Sequence, residues 1–192
     1  ALLGRMITVA TGLAREAGDE AGEAAARAIA QAEAEARALR VSGCEYTIAI
    51  ELTRGAGTYR GDTTLRFDAA GSGDLFLDFR GKSIELLEVN DRPLEPNWNG
   101  YRLWLPAASV SKSNTVRVVY ENEYDHEGDG FHQFKDPEDG EEYLYSNFEP
   151  YESHRLFPQF DQPDIKGTYG LTVLAPAEWE VVANSRETSA EP

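Results

Sequence analysis

The acidic stretch 125–142 holds the residues of this sequence that most resemble metal ligands. His126 and Glu127 begin like the H-E-x-x-H zinc motif, but Gly130 stands where the second histidine must lie one helical turn later. Read as a calcium loop beginning at Asp125, the stretch has acids at its first, third and fifth positions and a glycine at the sixth. Its twelfth position is aspartate instead of glutamate, and no helices flank it. The sequence predicts no zinc site here and leaves open whether the stretch binds a cation.

No other combination of side chains predicts catalysis from spacing alone. His132 and His154 stand far apart without a strong ligand spacing nearby, and no Ser-His-Asp or Cys-His pattern can be assembled. No glycine pair precedes a helix whose amides could hold a phosphate. Cys44 is the single cysteine, which excludes an internal disulfide and fits a reducing compartment. Generic motifs therefore predict neither a catalytic residue nor a metal ligand in this chain.

Composition restricts the partners and the location. The chain has 192 residues, enough for one domain with an extension, a formal charge of -16 and an isoelectric point near 4.5. Such a charge repels phosphate backbones and anionic lipid, and no cluster of Lys or Arg offsets it. No apolar run approaches the roughly 18 to 20 residues that span a bilayer. We expect a cytoplasmic protein that binds neither nucleic acid nor membrane.

The elements that must position any site fall into three regions. Residues 1–22 show no sustained period and predict a flexible or extended lead, whereas the Ala-rich residues 23–41 predict one α-helix. After it the period changes to two, and turns rich in Gly, Asn and Pro predict a β-domain over residues 42–192. The expected strands are Tyr46–Thr53, Gly61–Asp68, Asp74–Phe79, Ser83–Asn90, Tyr101–Leu105, Thr115–Tyr124, Glu142–Phe148, Thr168–Ala175 and Glu180–Asn184. The predicted fold class is mainly β, a sandwich or curled sheet preceded by one helix, with an acidic loop between strands at 121–142.

A longer string near the end of the chain points to one family. It contains Asn147-Phe148-Glu149 at the end of a strand, then Arg155, the F-P-Q-F-D-Q-P turn at Phe157–Pro163, Lys166, an apolar strand and Asn184-Ser185. This order resembles the aminopeptidase N family of zinc metallo-aminopeptidases, the gluzincins. In that family a strand ending in Gln-x-Glu precedes an Arg, a Phe-Pro-x-Phe-Asp-x-Pro turn, a Lys and an Asn-Ser or Asn-Gly pair. The resemblance, to bacterial members in particular, covers roughly residues 44 to 185.

The resemblance implies a saddle-shaped, mainly antiparallel β-domain that caps a thermolysin-like zinc domain supplied by the residues that follow. The family's H-E-x-x-H motif and its G-x-M-E-N exopeptidase signature do not occur in this chain. We therefore expect zinc in the parent enzyme, which removes N-terminal amino acids from peptides, and no cofactor or catalytic residue in this fragment. The isolated fragment is expected to be inactive. The implied partners are a peptide with a free N-terminus and the parent's own catalytic domain.

Two residues of this string are expected to bind substrate. By position, Glu149 matches the acid that binds the free α-amine of the substrate, which would penalise blocked N-termini. Asn147 matches a glutamine that lines the pocket for the first side chain, and its shorter amide reaches less far. Phe148 between them is expected to face the core. The Glu149-Pro150 bond is a candidate cis peptide in a sharp turn.

Other residues of the string are expected to be structural. The polar ones, expected to pair with one another or with backbone carbonyls, are Arg155, Asp161, Asp164 and Lys166. The apolar ones, expected in the core, are Phe157, Phe160, Tyr169, Leu171 and Val173.

Three alternatives remain open at this point. An epoxide-hydrolysing branch of the same family has glutamine where Glu149 stands, so the carboxylate favours the aminopeptidase. A catalytically dead relative could serve as an assembly scaffold. A free-standing β-sandwich module could instead bind sugar or protein through Trp98, Tyr101 and Trp104 near one turn, provided that these rings are exposed.

Overall fold

The computed structural model describes residues 30–190, which begin in a helix, α1, at residues 30–38. The predicted lead 1–22 and the predicted helical residues 23–29 lie outside the described part. A turn at 39–40 separates α1 from the first strand. The strands are β1 (Val41–Glu51), β2 (Thr58–Ala69), β3 (Leu75–Asp78), β4 (Ser83–Val89), β5 (Arg92–Pro93), β6 (Asn97–Trp98), β7 (Arg102–Leu105), β8 (Ser113–Glu123), β9 (Gly130–Lys135), β10 (Glu142–Asn147) and β11 (Gly167–Leu174).

The strands form three sheets. The largest has the order β11-β1-β2-β8-β4-β5, in which β11 runs parallel to β1 and the other neighbours are antiparallel. A smaller antiparallel sheet has the order β3-β7-β6, and β9 pairs with β10 in a hairpin. The prediction of a mainly β fold that follows one helix is confirmed. No helix within residues 30–190 is long and apolar enough to cross a membrane.

The core lies against one face of the large sheet. On β1 the residues Tyr46, Ile48 and Ile50 are buried, and the residues between them are exposed, as expected for a strand with one covered face. On the neighbouring strand, Gly61 leaves room for the fully buried ring of Tyr120. A Cβ at position 61 would lie 2.1 Å from the Cζ atom of that ring, so only glycine fits there.

Two predictions about strands are wrong. The expected acidic loop at 121–142 contains strand β9, because Phe131 and His132 are buried and the acids lie mostly in the turns on either side of them. The strand expected at Glu180–Asn184 does not form in the described structure. This segment has no paired neighbour there, and the side chains of Val181 and Val182 are exposed. The other predicted strands occur, with shifted ends.

The core prediction also fails at two residues of β11. Tyr169 is 55% exposed and Leu171 is 48% exposed, although Phe157 and Phe160 are buried as expected. In the register of the parallel pair, Tyr169 lies beside Tyr46 and Leu171 beside Ile48, so both continue the core-facing side of the sheet. β11 is the edge strand, and the second layer does not extend over it within residues 30–190. The alternation of apolar residues in β11 therefore identified the correct face of the sheet but overestimated how far that face is buried.

Helix α1 packs beside the small sheet. The carboxylate of Glu33 accepts two hydrogen bonds from the guanidinium of Arg102 on β7, at 2.9 and 2.6 Å. The same guanidinium lies 4.3 Å from the ring centroid of Phe76 on β3. A bidentate ion pair with an aromatic contact orients both partners, so α1 is fixed to the domain by more than its small alanine side chains.

Candidate functional site

The β9–β10 hairpin positions both predicted substrate-binding residues. Asn147 is the last residue of β10 and pairs with Gly130, the first residue of β9. Its side-chain amide donates a hydrogen bond to the carbonyl oxygen of Gly128 at 3.3 Å. Glu149 follows two residues later in a turn, and both side chains are exposed. The hairpin therefore brings Asn147 and Glu149 to one end of the domain.

Phe148 separates the two residues and anchors the chain. Its ring is partly buried and packs against the core, as predicted. The Glu149-Pro150 bond is cis, which confirms that prediction. The carboxylate of Glu149 is exposed and forms no hydrogen bond or ion pair with any residue of the described range 30–190. Since Glu149 is exposed, these residues do not close a pocket around it.

Beyond Pro150, the loop is held by an ion-pair cluster centred on Arg155. The backbone N–H of Glu152 donates to the carbonyl of Phe148 at 3.2 Å, which closes the turn over Glu149. Arg155 pairs through its Nε atom with the Glu152 carboxylate, and its NH1 atom donates to Oδ2 of Asp125 at 2.7 Å. Arg155 is therefore structural as expected, but its partners are the carboxylates of Asp125 and Glu152 and not the other motif residues or backbone carbonyls.

A second cluster surrounds Asp78 at the end of β3. The sequence did not predict a role for the Asp78 side chain. Residue Asp78 is 3% exposed, and its Oδ1 atom accepts a hydrogen bond from the hydroxyl of Tyr151 at 3.0 Å. Its Oδ2 atom accepts one from the backbone N–H of Asp161 at 3.0 Å and lies 2.8 Å from NH1 of Arg37 on α1. A carboxylate buried to this extent requires such partners. One signal was available, because Asp78 is the single acid in the apolar run Leu75–Phe79.

The pKa values in this cluster follow from burial and its partners. Burial raises the pKa of the Asp78 carboxyl, although Arg37 and the Tyr151 hydrogen bond oppose the rise. Burial and the neighbouring Asp78 raise the pKa of the Tyr151 hydroxyl, so Tyr151 remains a hydrogen-bond donor at neutral pH. Burial also opposes ionisation of Asp161, but hydrogen bonds from His154 and Ser153 lower its pKa below the ordinary value. Each group therefore has a defined donor or acceptor role.

The described residues do not fit a resident metal site. Within residues 30–190 no three His, Cys, Asp or Glu side chains are grouped so that they could hold a metal ion. His132 accepts the backbone N–H of Gly128 through Nδ1 at 3.0 Å, and Nδ1 of His154 lies 2.8 Å from Asp161 Oδ2. Asp125 is already engaged by Arg155. His132, His154 and Asp125 are therefore used in structural contacts.

The three aromatic side chains proposed for a binding module do not form an exposed platform. The indole of Trp98 packs against the core, 5.6 Å from the ring of Phe79, and its Nε1 atom donates to the Phe79 carbonyl at 3.0 Å. Trp104 is partly covered and lies 5.2 Å from the Phe76 ring. Of the three, Tyr101 alone is exposed, so two of the proposed stacking rings serve the fold.

Comparisons with known proteins agree with the resemblance to the aminopeptidase N family. Aminopeptidase N of Streptomyces lividans is 38% identical over 154 residues, which are 78% of this chain and 18% of that protein. A probable M1 family aminopeptidase 1 of Encephalitozoon cuniculi is 42% identical over 48 residues, 24% of this chain and 6% of that protein. The chain thus spans only a small part of the curated relatives that it matches.

Solved structures share the fold at lower identity. Yeast LTA4 hydrolase has a TM-score of 0.63 at 18% identity, over 72% of this chain and 23% of that chain. A Deinococcus radiodurans M1 zinc metallopeptidase bound to a Tyr-Ser-Ala substrate has a TM-score of 0.62 at 19% identity, over 80% of this chain and 37% of that chain. A family model described as the Peptidase M1 N-terminal domain matches residues 46–192. The chain therefore belongs to the peptidase M1 N-terminal domain family, the amino-terminal domain of M1 aminopeptidases.

Proposed function

We propose that this domain belongs to a zinc aminopeptidase and that Glu149 binds the free α-ammonium group of the peptide substrate. The observation that carries the proposal is the exposed Glu149 carboxylate, which lacks a partner among residues 30–190 and whose backbone is held on both sides. Phe148 anchors it before the turn and the Arg155 cluster anchors it after. The 38% identity to an aminopeptidase N supports the same assignment.

The chemistry of this contact is selective. An ammonium group pairs with a carboxylate through charge-assisted hydrogen bonds, whereas an acylated N-terminus offers no charge. While Glu149 is exposed, water solvates its carboxylate at little free-energy cost. If the rest of the parent protein completed a pocket around it, the carboxylate would be desolvated, and a substrate without a cationic group would leave it unpaired at a substantial cost. Glu149 would bind and orient the substrate without transferring a proton, and Asn147 would border the first side chain.

The zinc of such an enzyme would be bound outside residues 30–190, since the described side chains do not fit it. When bound, the metal would supply a polarised water for peptide hydrolysis. The contribution of this domain is therefore confined to substrate binding, and we expect the isolated chain to be inactive toward aminoacyl substrates. The cytoplasmic location also stays a prediction, compatible with the buried single thiol of Cys44.

The test uses the full-length parent enzyme and an aminoacyl chromogenic substrate. We expect Glu149→Gln and Glu149→Ala to lower kcat/KM roughly 30-fold to 1,000-fold, equivalent to about 2 to 4 kcal/mol, with zinc content unchanged. Glu138→Gln is the matched control, because Glu138 is an exposed acid in the β9–β10 turn. Its kcat/KM should stay within about twofold of the wild type.

The same assay separates the alternatives. Equal kinetics for Glu149→Gln and wild type would remove Glu149 from the binding site and leave this domain a structural part of the parent. A wild-type parent that binds zinc but hydrolyses no aminoacyl or peptide substrate would support a catalytically dead scaffold instead. An N-acetylated substrate should be a poor substrate for the wild type, and the Glu149→Gln variant should discriminate against it less strongly.

A further inference from the structure

We infer that the buried Asp78 carboxylate, together with Tyr151 and Arg37, positions Glu149 for substrate binding. The inference rests on the proposed function of Glu149 and goes beyond it, because none of these three residues is expected to touch the substrate. Tyr151 stands two residues after Glu149, and its hydroxyl donates to Oδ1 of Asp78 at 3.0 Å. The loop that carries Glu149 is thereby fastened to the small sheet at the end of β3.

The connection is directional because each atom of the Asp78 carboxylate has an assigned partner. Tyr151 occupies one oxygen, and the backbone N–H of Asp161 and the Arg37 guanidinium share the other. Because residue Asp78 is only 3% exposed, removing a partner of its carboxylate would destabilise the fold, and this cost holds each partner in place. Asp78 therefore fixes the orientation of the Tyr151 ring. The centroid of this ring also lies 4.4 Å from that of the His154 ring.

Arg37 extends this connection to α1. Its Nε atom donates to Oε1 of Gln162 at 2.9 Å, and its guanidinium lies 4.4 Å from the Phe76 ring centroid. Gln162 in turn donates to the carbonyl of Ala34 on the same helix at 2.8 Å. The helix thus contacts the F-P-Q-F-D-Q-P turn and the buried acid at once. Helix α1 precedes residues 46–192, which are the part that the family model matches. A helix outside that match therefore helps to position Glu149.

The contact between Tyr151 and Asp78 is the side-chain anchor nearest to Glu149 on its C-terminal side. Pro150 and Glu149 lie between the core contact of Phe148 and the two anchors at Tyr151 and Glu152. A shift of about 1 Å in a binding group can reduce catalysis on the order of 100-fold, so a fixed loop has functional value. Tyr151 and Arg37 are accordingly positioning residues, and their removal should act through Glu149.

The first test compares Tyr151→Phe with Tyr143→Phe in the full-length parent enzyme. Both changes remove one hydroxyl that donates to a carboxylate, at 3.0 Å to Asp78 and at 2.8 Å to Asp139 respectively. Both residues are nearly half exposed, but the hydrogen bond of Tyr151 is partly buried and that of Tyr143 is exposed. We expect Tyr151→Phe to raise KM for a free-amine substrate on the order of tenfold with kcat changed less than about twofold, and Tyr143→Phe to change neither.

A double-mutant cycle makes the inference separable from the proposed function. If Tyr151 acts through Glu149, then Tyr151→Phe should have no further effect on KM in a Glu149→Gln background. An equal effect of Tyr151→Phe in both backgrounds would overturn the positioning role while leaving Glu149 in the site. A Glu149→Gln enzyme with wild-type kinetics would instead overturn the proposed function itself.

Arg37 supplies a second variant in case the first perturbs folding. Arg37→Met should raise KM in the same direction as Tyr151→Phe, and Arg37→Lys should recover most of the wild-type value because it retains the charge beside Asp78. Melting temperatures of all variants are measured in parallel. A fall in melting temperature with unchanged KM for both Tyr151→Phe and Arg37→Met would show that the cluster only stabilises the fold, which contradicts the inference.

Discussion

The reactivity of single side chains in this domain is controlled by burial, and Cys44 shows this most directly. The thiol lies on the covered face of β1 and is 3% exposed. Burial raises the pKa of the Cys44 thiol to about 11, so the thiolate is scarce at neutral pH. Both access and ionisation therefore oppose modification, and this cysteine has the properties of a small core residue.

We predict that Cys44 reacts slowly with thiol reagents in the folded protein. The rate of labelling by iodoacetamide at pH 7.5 should be on the order of 100-fold lower than in denaturant, where the thiol has its ordinary pKa near 8.5. Mass spectrometry of the intact protein measures the labelled fraction over time. Labelling at the same rate with and without denaturant would contradict the buried position of Cys44.

Gly130 links the local backbone to the Arg155 cluster. Its φ is 65°, and a Cβ added there would lie 2.8 Å from Cβ of Arg155. Gly140, in the turn of the same hairpin, has a φ of 76° and nothing within 4 Å of such a Cβ. An alanine at either position would strain the backbone, but only an alanine at position 130 would also contact Arg155. Comparing the two substitutions therefore separates backbone strain from steric contact.

We predict that Gly130→Ala is more destabilising than Gly140→Ala. Strain alone should cost about 1 kcal/mol in each variant, and the contact with Arg155 should add roughly 1 to 3 kcal/mol in the first. Denaturant unfolding of both variants gives the two free energies of unfolding. Equal values would mean that the Arg155 side chain moves aside without loss.

At the scale of elements, periodicity predicted most of this fold, whereas the candidate site came from a family motif. Alternating burial located β1, β2 and β8, because one face of each strand meets the core. Strand β9 was not predicted, because the acids on either side of its short apolar part made the whole segment resemble a loop. The sites of Glu149 and Asn147 followed from the order of motif residues, whereas the cluster at Asp78 depends on contacts across the fold. No periodic pattern encodes such contacts.

Strand β11 shows the limit of alternation as a guide to burial. Tyr169 and Leu171 lie on the core side of the sheet, yet the described layers leave both about half exposed. A residue on that face then gains little from folding of this domain alone, since the hydrophobic contribution scales with the area removed from water. Leu171 on β11 and Leu87 on β4 are a matched pair, because one is 48% exposed and the other is 2% exposed.

We predict that Leu171→Ala destabilises the 192-residue chain by about 1 kcal/mol or less, whereas Leu87→Ala costs roughly 2 to 5 kcal/mol. The difference should appear as separate midpoints of denaturant unfolding with similar slopes. A cost at Leu171 as large as that at Leu87 would mean that a further segment covers β11 in solution.

At the scale of the whole molecule, the domain distributes its polar groups by function. The formal charge of -16 keeps the surface hydrated and repels polyanions, and the buried acid Asp78 is neutralised by Arg37. Glu149 is exposed without a partner in the described range, as are surface acids such as Glu138, so its place in the family motif is what singles it out.

The parallel pairing of β1 with β11 also has a consequence for synthesis in the cell. Cys44 pairs with Gly167, so the two strands come from opposite ends of the domain. During translation, β1 leaves the ribosome early and its outer edge waits for β11 while nearly all of the intervening chain is made. Contacts of such long sequence separation form slowly, and an open strand edge invites pairing with other nascent chains. Premature termination of translation before β11 is made should therefore favour misassembly at this edge.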